Sequence, residues 1–235
     1  TSITKMGITS GEAVVGLTGN FARLAAATGE NAQGLAAGQI GLQRQMGTLN
    51  RGMYADTQVQ NNARMNDSLN NLSAKAGAPA QSILDFSQSI APSARAAGMS
   101  QQQTMGVSTA FVAGGADSGY AASAFTGIMN EIMGMRSVKS PEMAKYAYVL
   151  GMSQDQISKM TPFDIAKAVI NKVGQSGDAG VAMMNQLGFE GIRTQKAIQG
   201  VNAAGGIDKY TAEAMGGTGS VETGAKAAES GYLTN

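Results

Sequence analysis

The sequence predicts an all-α protein: a multi-helix domain of short antiparallel helices joined by Gly/Pro-rich turns, with no sheet. Three observations lead there. Apolar residues recur at steps of three and four through most of the chain, the spacing of one helix face. Glycines, prolines and Ser, Thr or Asp stand where these stripes begin and end. No five-residue window carries the β-branched alternation of a strand. The composition agrees, with 32 glycines, 38 alanines, 15 methionines and only 5% aromatics in 235 residues. Small side chains let helix backbones approach, and methionine fills irregular gaps between them.

The elements follow in order. Val14, Leu17, Phe21 and Leu24 form the first stripe, between a Thr9-x-x-Glu12 capping box and a stop at Gly29. Leu42, Met46, Leu49 and Met53 repeat at 4-3-4 and predict a helix across 42–53. Met65, Leu69, Leu72 and Ala76 form the next stripe, and Gly77 follows where a left-handed residue ends a helix. Past Pro79, Ile83, Phe86 and Ile90 mark a further helix. Pro92 is expected to kink or end it, because proline lacks an N–H and clashes with the preceding turn. Gly98 closes that segment.

Ser100 and Gln103 are spaced as a capping box for a helix that stops at Gly114-Gly115. Asp117 caps the next, whose stripe is Ala121, Phe125, Ile128, Ile132 and Met135. Pro141 stands at a first helical position, with Glu142 in the first turn, and Gly151 ends that helix. Thr161-Pro162-Phe163-Asp164 repeats the start signal for a helix ending near Val173-Gly174. Shorter helices are predicted at 178–187, 193–204 and 207–215. The stripes divide the chain into an N-terminal helical segment (1–55), a helical core (56–215) and a Gly/Thr/Ala-rich tail (216–235). The tail reads as a linker or as a helix that needs a partner.

Charge and composition remove several function classes. Lys plus Arg total 17 and Asp plus Glu 16, balanced in both halves, so no basic surface for nucleic acid is expected. Without cysteine or histidine there is no disulfide framework, thiolate nucleophile or His-based triad. No cofactor or metal site is expected. No run of 18 apolar residues is present. A chain that starts at Thr1 reads as a piece of a longer protein or a processed one.

Candidate motifs are weak. Gly216-Gly217-Thr218-Gly219-Ser220 lacks the strand and Gly-Lys-Ser/Thr of a phosphate loop. Gly114 to Gly119 holds a serine among glycines, but it is no nucleophile elbow and has no histidine base. Glu131, on the least charged helix, would have its pKa raised by burial, as a general acid requires. The lysines of the second half are interleaved with acids and read as a solvated face. The run Ala96–Ala116 holds no ionisable side chain. The neighbouring helix to Met135 adds only Asp117 and Glu131, and two readings of the resulting hairpin, 96–135, stay open: the centre of the fold, or a contact face for another subunit. Met105, Phe111, Phe125, Ile128, Ile132 and Met135 are its core or subunit-contact residues.

Residues 69–135, LNNLSAKAGAPAQSILDFSQSIAPSARAAGMSQQQTMGVSTAFVAGGADSGYAASAFTGIMNEIMGM, resemble the core domain of phage tail tape measure proteins. The likeness lies in an order of signals. A small-residue turn (Gly77-Ala78-Pro79) precedes a helix broken by Pro92. Gly98-Met99-Ser100-Gln101-Gln102-Gln103 and a Gly114-Gly115 turn follow. A small-residue helix (Gly119 to Met133) and Leu150-Gly151-Met152-Ser153 complete it. It spans about residues 60–175 and departs at Gln103, where family members carry an acid. The resemblance implies a non-enzymatic virion protein in the tail lumen or tip that sets tail length and leaves ahead of the DNA. It implies a homo-oligomer of small cyclic symmetry, tail tube and tail tip proteins and assembly chaperones as partners, and no specific nucleic-acid binding. Membrane contact after ejection is a further implication for the family. The alternatives are a helical adaptor outside any virion, and a peptidoglycan-cleaving segment of a tape measure protein.

Overall fold

The computed structural model of the chain describes residues 8, 10–49, 55–137, 141–189 and 192–233. These residues form thirteen helices and no strand, so the protein is all-α. The first six are α1 Gly11–Thr28, α2 Ala32–Gln45, α3 Ala55–Ala76, α4 Ala80–Ala96, α5 Gln101–Ala113 and α6 Ser118–Ser137. Then come α7 Pro141–Leu150, α8 Gln154–Ser158, α9 Pro162–Gln175 and α10 Asp178–Gln186. The last three are α11 Ile192–Ala203, α12 Gly206–Gly216 and α13 Ser220–Leu233.

Local chemistry sets most of the ends. Ser100 and Gln103 form a reciprocal capping box at α5. Asp117 Oδ1 accepts from the Gly119 and Tyr120 amides at the start of α6. The Thr161 hydroxyl accepts from the Asp164 amide at 3.1 Å, with Pro162 as the first residue of α9. Pro141 likewise begins α7. Gly77, Gly98, Gly115 and Gly151 all hold φ between 61° and 76°, a left-handed region that side chains avoid.

Two expectations are corrected, and of the two outcomes expected at Pro92 one is excluded. The cap of α1 is Ser10, whose hydroxyl accepts from the Ala13 amide, while Thr9 lies outside the described residues. The 42–53 stripe is not one helix. α2 ends at Gln45, Gly47 turns the chain at φ 68°, and Met53 lies outside the described residues. Leu49 packs instead in a small cluster with Leu17, Phe21 and Ile40. Pro92 does not end its helix, which continues to Ala96. Ile90, Ala91 and Ala94 are buried on both sides of the proline, so packing holds the last turn against a cost of about 3 kcal/mol.

The helices gather around α5, which touches α3, α4, α6, α11 and α12. A second hub is α3, in contact with α1, α4, α5, α12 and α13. One large apolar core runs from Leu24 to Val221, and a satellite core lies between α1 and α2. The boundary at 55/56 falls at the start of α3, and that at 215/216 at the end of α12. In the fold the helices on either side of each boundary are packed together: α1 on α3, α2 on α4, and α13 back on α1 and α3.

Small residues decide how close α5 comes to its neighbours. A Cβ on Gly106 would lie 2.7 Å from the Thr211 Cα, and one on Gly114 would lie 2.5 Å from the Gly200 carbonyl carbon. Gly106, Ala110 and Gly114 recur every four residues and share one face of the helix.

Candidate functional site

The uncharged hairpin is the natural place to look. Every residue of α5 from Thr104 to Phe111 is buried. Such a helix has no wet face, which is why it carries no charge. Its hydroxyls need partners without water. Thr104, Ser108 and Thr109 each donate to the carbonyl four residues earlier, at 2.8 Å. Phe111 stacks on Phe86 at 5.4 Å and meets the edge of Phe125 at 6.2 Å. Met105, Phe111, Phe125, Ile128, Ile132 and Met135 are all buried within the chain itself. For these six residues, the core half of the core-or-contact reading describes what the fold does.

The hairpin leaves one face at the surface. On α6, Gly119, Ser123, Gly127 and Asn130 are exposed, and with Ser89 and Thr126 they line a shallow uncharged groove beside α4.

Glu131 lies at the edge of that helix, near α7. Burial holds its carboxyl above the usual carboxylate range, Lys145 draws it part of the way back, and Glu142 pushes it up. The buried Tyr146 hydroxyl has no hydrogen-bond partner among the described residues. Burial first, and then the charge of Glu131, raise that phenol. This arrangement can hold and release one proton at Glu131. Among the described residues no group of three or more acids forms a metal site, and no helix is long and apolar enough to cross a membrane.

A cavity of about 240 Å³ opens between α2, α3 and the start of α5. Five side-chain amides (Gln43, Gln58, Asn61, Gln101 and Gln102) line it with Arg64. Its chemistry is hydrogen bonding with one positive charge. Nearby, buried amides join α1, α2 and α3. Asn20 donates to the Val59 carbonyl, Asn66 to the Asn20 carbonyl and Asn62 to the Gln39 side chain.

Two carboxylates escaped the sequence reading. Glu30, in the α1–α2 turn, accepts from the Ala80 amide at 2.6 Å and from the Gln81 amide at 2.9 Å. It caps α4, where Pro79 offers no side chain for the purpose. Asp67 on α3 accepts from the Gly219 and Val221 amides and so caps α13. Their partners lie 50 to 154 residues away, so no local pattern announces them. The Gly216–Ser220 run is the bend before α13, held to α3 by Asp67, while Ser68 and Asn71 donate to the Ala214 and Glu213 carbonyls at the end of α12.

Comparison of the chain with protein-family models, curated proteins and solved structures found no match.

Proposed function

We propose that this chain is a structural, non-enzymatic domain of a phage tail tape measure protein, lodged in the tail lumen or tip. The observation that carries the reading is the ordered set of turn signals from Gly77 to Ser153, which resembles that family's core domain. What supports it physically is the kind of helices present. Helices rich in small residues, each with its own start and stop, can be paid out one after another through a narrow tube. Near-zero net charge avoids strong attraction to DNA in the same conduit. In this role the protein would assemble as copies of small cyclic symmetry against tail tube and tip proteins.

The test is quantitative mass spectrometry of purified virus particles from the source. Peptides of this chain in low, fixed ratio to a tail tube protein are the expected result. Their absence from particles would overturn the reading and leave a helical adaptor as the better account.

A further inference from the structure

We propose that the amide-lined cavity between α2, α3 and the start of α5 binds a monosaccharide carrying one anionic group, a carboxylate or a phosphate. The inference goes beyond the tail reading and does not depend on it.

Each wall brings hydrogen-bonding groups that the protein does not match. Gln43, on α2, is only 8% exposed. Its amide nitrogen donates to the Met65 sulfur at 3.2 Å, a weak acceptor, and nothing among the described residues donates to its Oε1. A buried carbonyl without a donor is unfavourable, and a ligand hydroxyl would supply one. Gln58 and Asn61 on α3, and Gln102 on α5, make no side-chain hydrogen bond among the described residues. Thr48 and Gln101 are engaged with each other instead. The Thr48 hydroxyl accepts from the Gln101 side-chain amide and donates to the Gln43 backbone carbonyl at 3.2 Å. Those bonds tie the end of α2 to the start of α5, so the protein itself fixes two walls of the cavity.

Two positive features meet here without an acid. Arg64 forms no ion pair among the described residues. Gln101 and Gln102 belong to the first turn of α5, the positive end of that helix, and no acid stands in that turn. No Asp or Glu lines the cavity either. One guanidinium matches one carboxylate or phosphate. The amides read the neutral remainder of the ligand, since a hydroxyl both gives and takes a hydrogen bond and so pairs with either end of an amide. Leu49 and Met65 offer an apolar wall to the C–H face of a sugar ring. No aromatic side chain lines the cavity, so a nucleobase has nothing to stack on. At about 240 Å³ the space is smaller than the roughly 300–1,000 Å³ of drug-sized sites, which suits one ring rather than a chain of them.

The lining amides report binding directly, because each side-chain NH₂ gives its own pair of signals in a proton–nitrogen correlation spectrum of the isotope-labelled chain. Glucuronate, glucose-6-phosphate, neutral glucose and inorganic phosphate are titrated in turn. The expected result is saturable shifts of the Gln43, Gln58 and Asn61 side-chain signals with glucuronate, with the phosphate ester, or with both. Their Kd should lie about ten-fold below those of glucose and inorganic phosphate. Which of the two binds tells whether the site takes a carboxylate or a phosphate. Arg64→Gln should raise the Kd about ten-fold, to the level of glucose. Lys172→Gln, which removes the same charge on α9, should leave it unchanged. Gln102→Ala, on the α5 wall, is the second variant and should weaken binding several-fold. Circular dichroism checks that each variant is folded. No saturable shift with either anionic sugar overturns the proposal. So does glucose binding as tightly as glucuronate and the ester, or inorganic phosphate binding as tightly as the ester, and so do folded Arg64→Gln and Gln102→Ala chains that both bind like the parent. All of this uses purified chain, so failure here leaves the virion assignment to its own test.

Discussion

Gly106→Ala separates helix propensity from helix packing by the sign of one stability change. In an isolated helix, replacing an interior glycine with alanine gains up to about 1 kcal/mol. In this fold the new methyl would stand 2.7 Å from the Thr211 Cα and 2.8 Å from its amide nitrogen. Both are backbone atoms, so no rotamer change relieves the overlap, and α12 must shift away from α5. Overpacking of this kind costs about 1–3 kcal/mol, and rigid partners place it at the upper end. The expected net loss is about 2 kcal/mol, or about 4–8 °C in Tm for a chain of this size. Gly127→Ala is the matched control. It too lies inside a helix, but it is exposed and nothing stands within 4 Å of its would-be Cβ. It should gain up to about 1 kcal/mol, or about 2–4 °C. Urea titration and thermal melts followed by circular dichroism at 222 nm read both. A Gly106→Ala chain as stable as the control would refute the close α5–α12 crossing. A Gly127→Ala chain that loses stability would mean that this face of α6 is covered in solution.

Two further outcomes follow from the carboxylates. Glu30→Ala removes the cap on α4 and should cost about 1 kcal/mol in urea unfolding, with amide exchange rising first at Ala80 and Gln81; an unchanged midpoint would count against the cap. For Glu131 the native carboxyl titrates above its unfolded value, because burial disfavours the charged form more than Lys145 restores it. Stability from this group is therefore present below the unfolded pKa and lost as pH rises through the native one. Glu131→Gln should then be more stable than the parent near pH 7.5, and the difference should vanish near pH 4. An equal effect at both pH values would exclude burial of the charge as the cause.

Much of the site description was legible in the sequence because the uncharged run Ala96–Ala116 can only be comfortable away from water. That run could not reveal which of its faces met the chain's own helices. Phe111 and Met135 look alike as interface or core residues until Phe86, α9 and α11 are in place. Glu131 was legible as a carboxyl on a sparsely charged helix. Its neighbour Tyr146, fifteen residues on, was not, since only the packing of α7 against α6 brings the phenol near.

Taken by itself, the sequence determined the helical class and most of the helix ends. Ser100 with Gln103, Asp117, and Thr161 with Asp164 each close a hydrogen bond within three residues. The left-handed stop at Gly77 is equally local. Such bonds form or fail on the chemistry of one turn, so a linear reading recovers them. Tertiary structure alone decided that α5 is the hub, that Glu30 and Asp67 cap helices far along the chain, and that Pro92 stays inside a helix. It also decided that the tail folds back onto α1 and α3. Each of these rests on a contact between distant segments. Its free energy depends on shape complementarity and on the entropy of bringing those segments together, and neither is written in a window of ten residues.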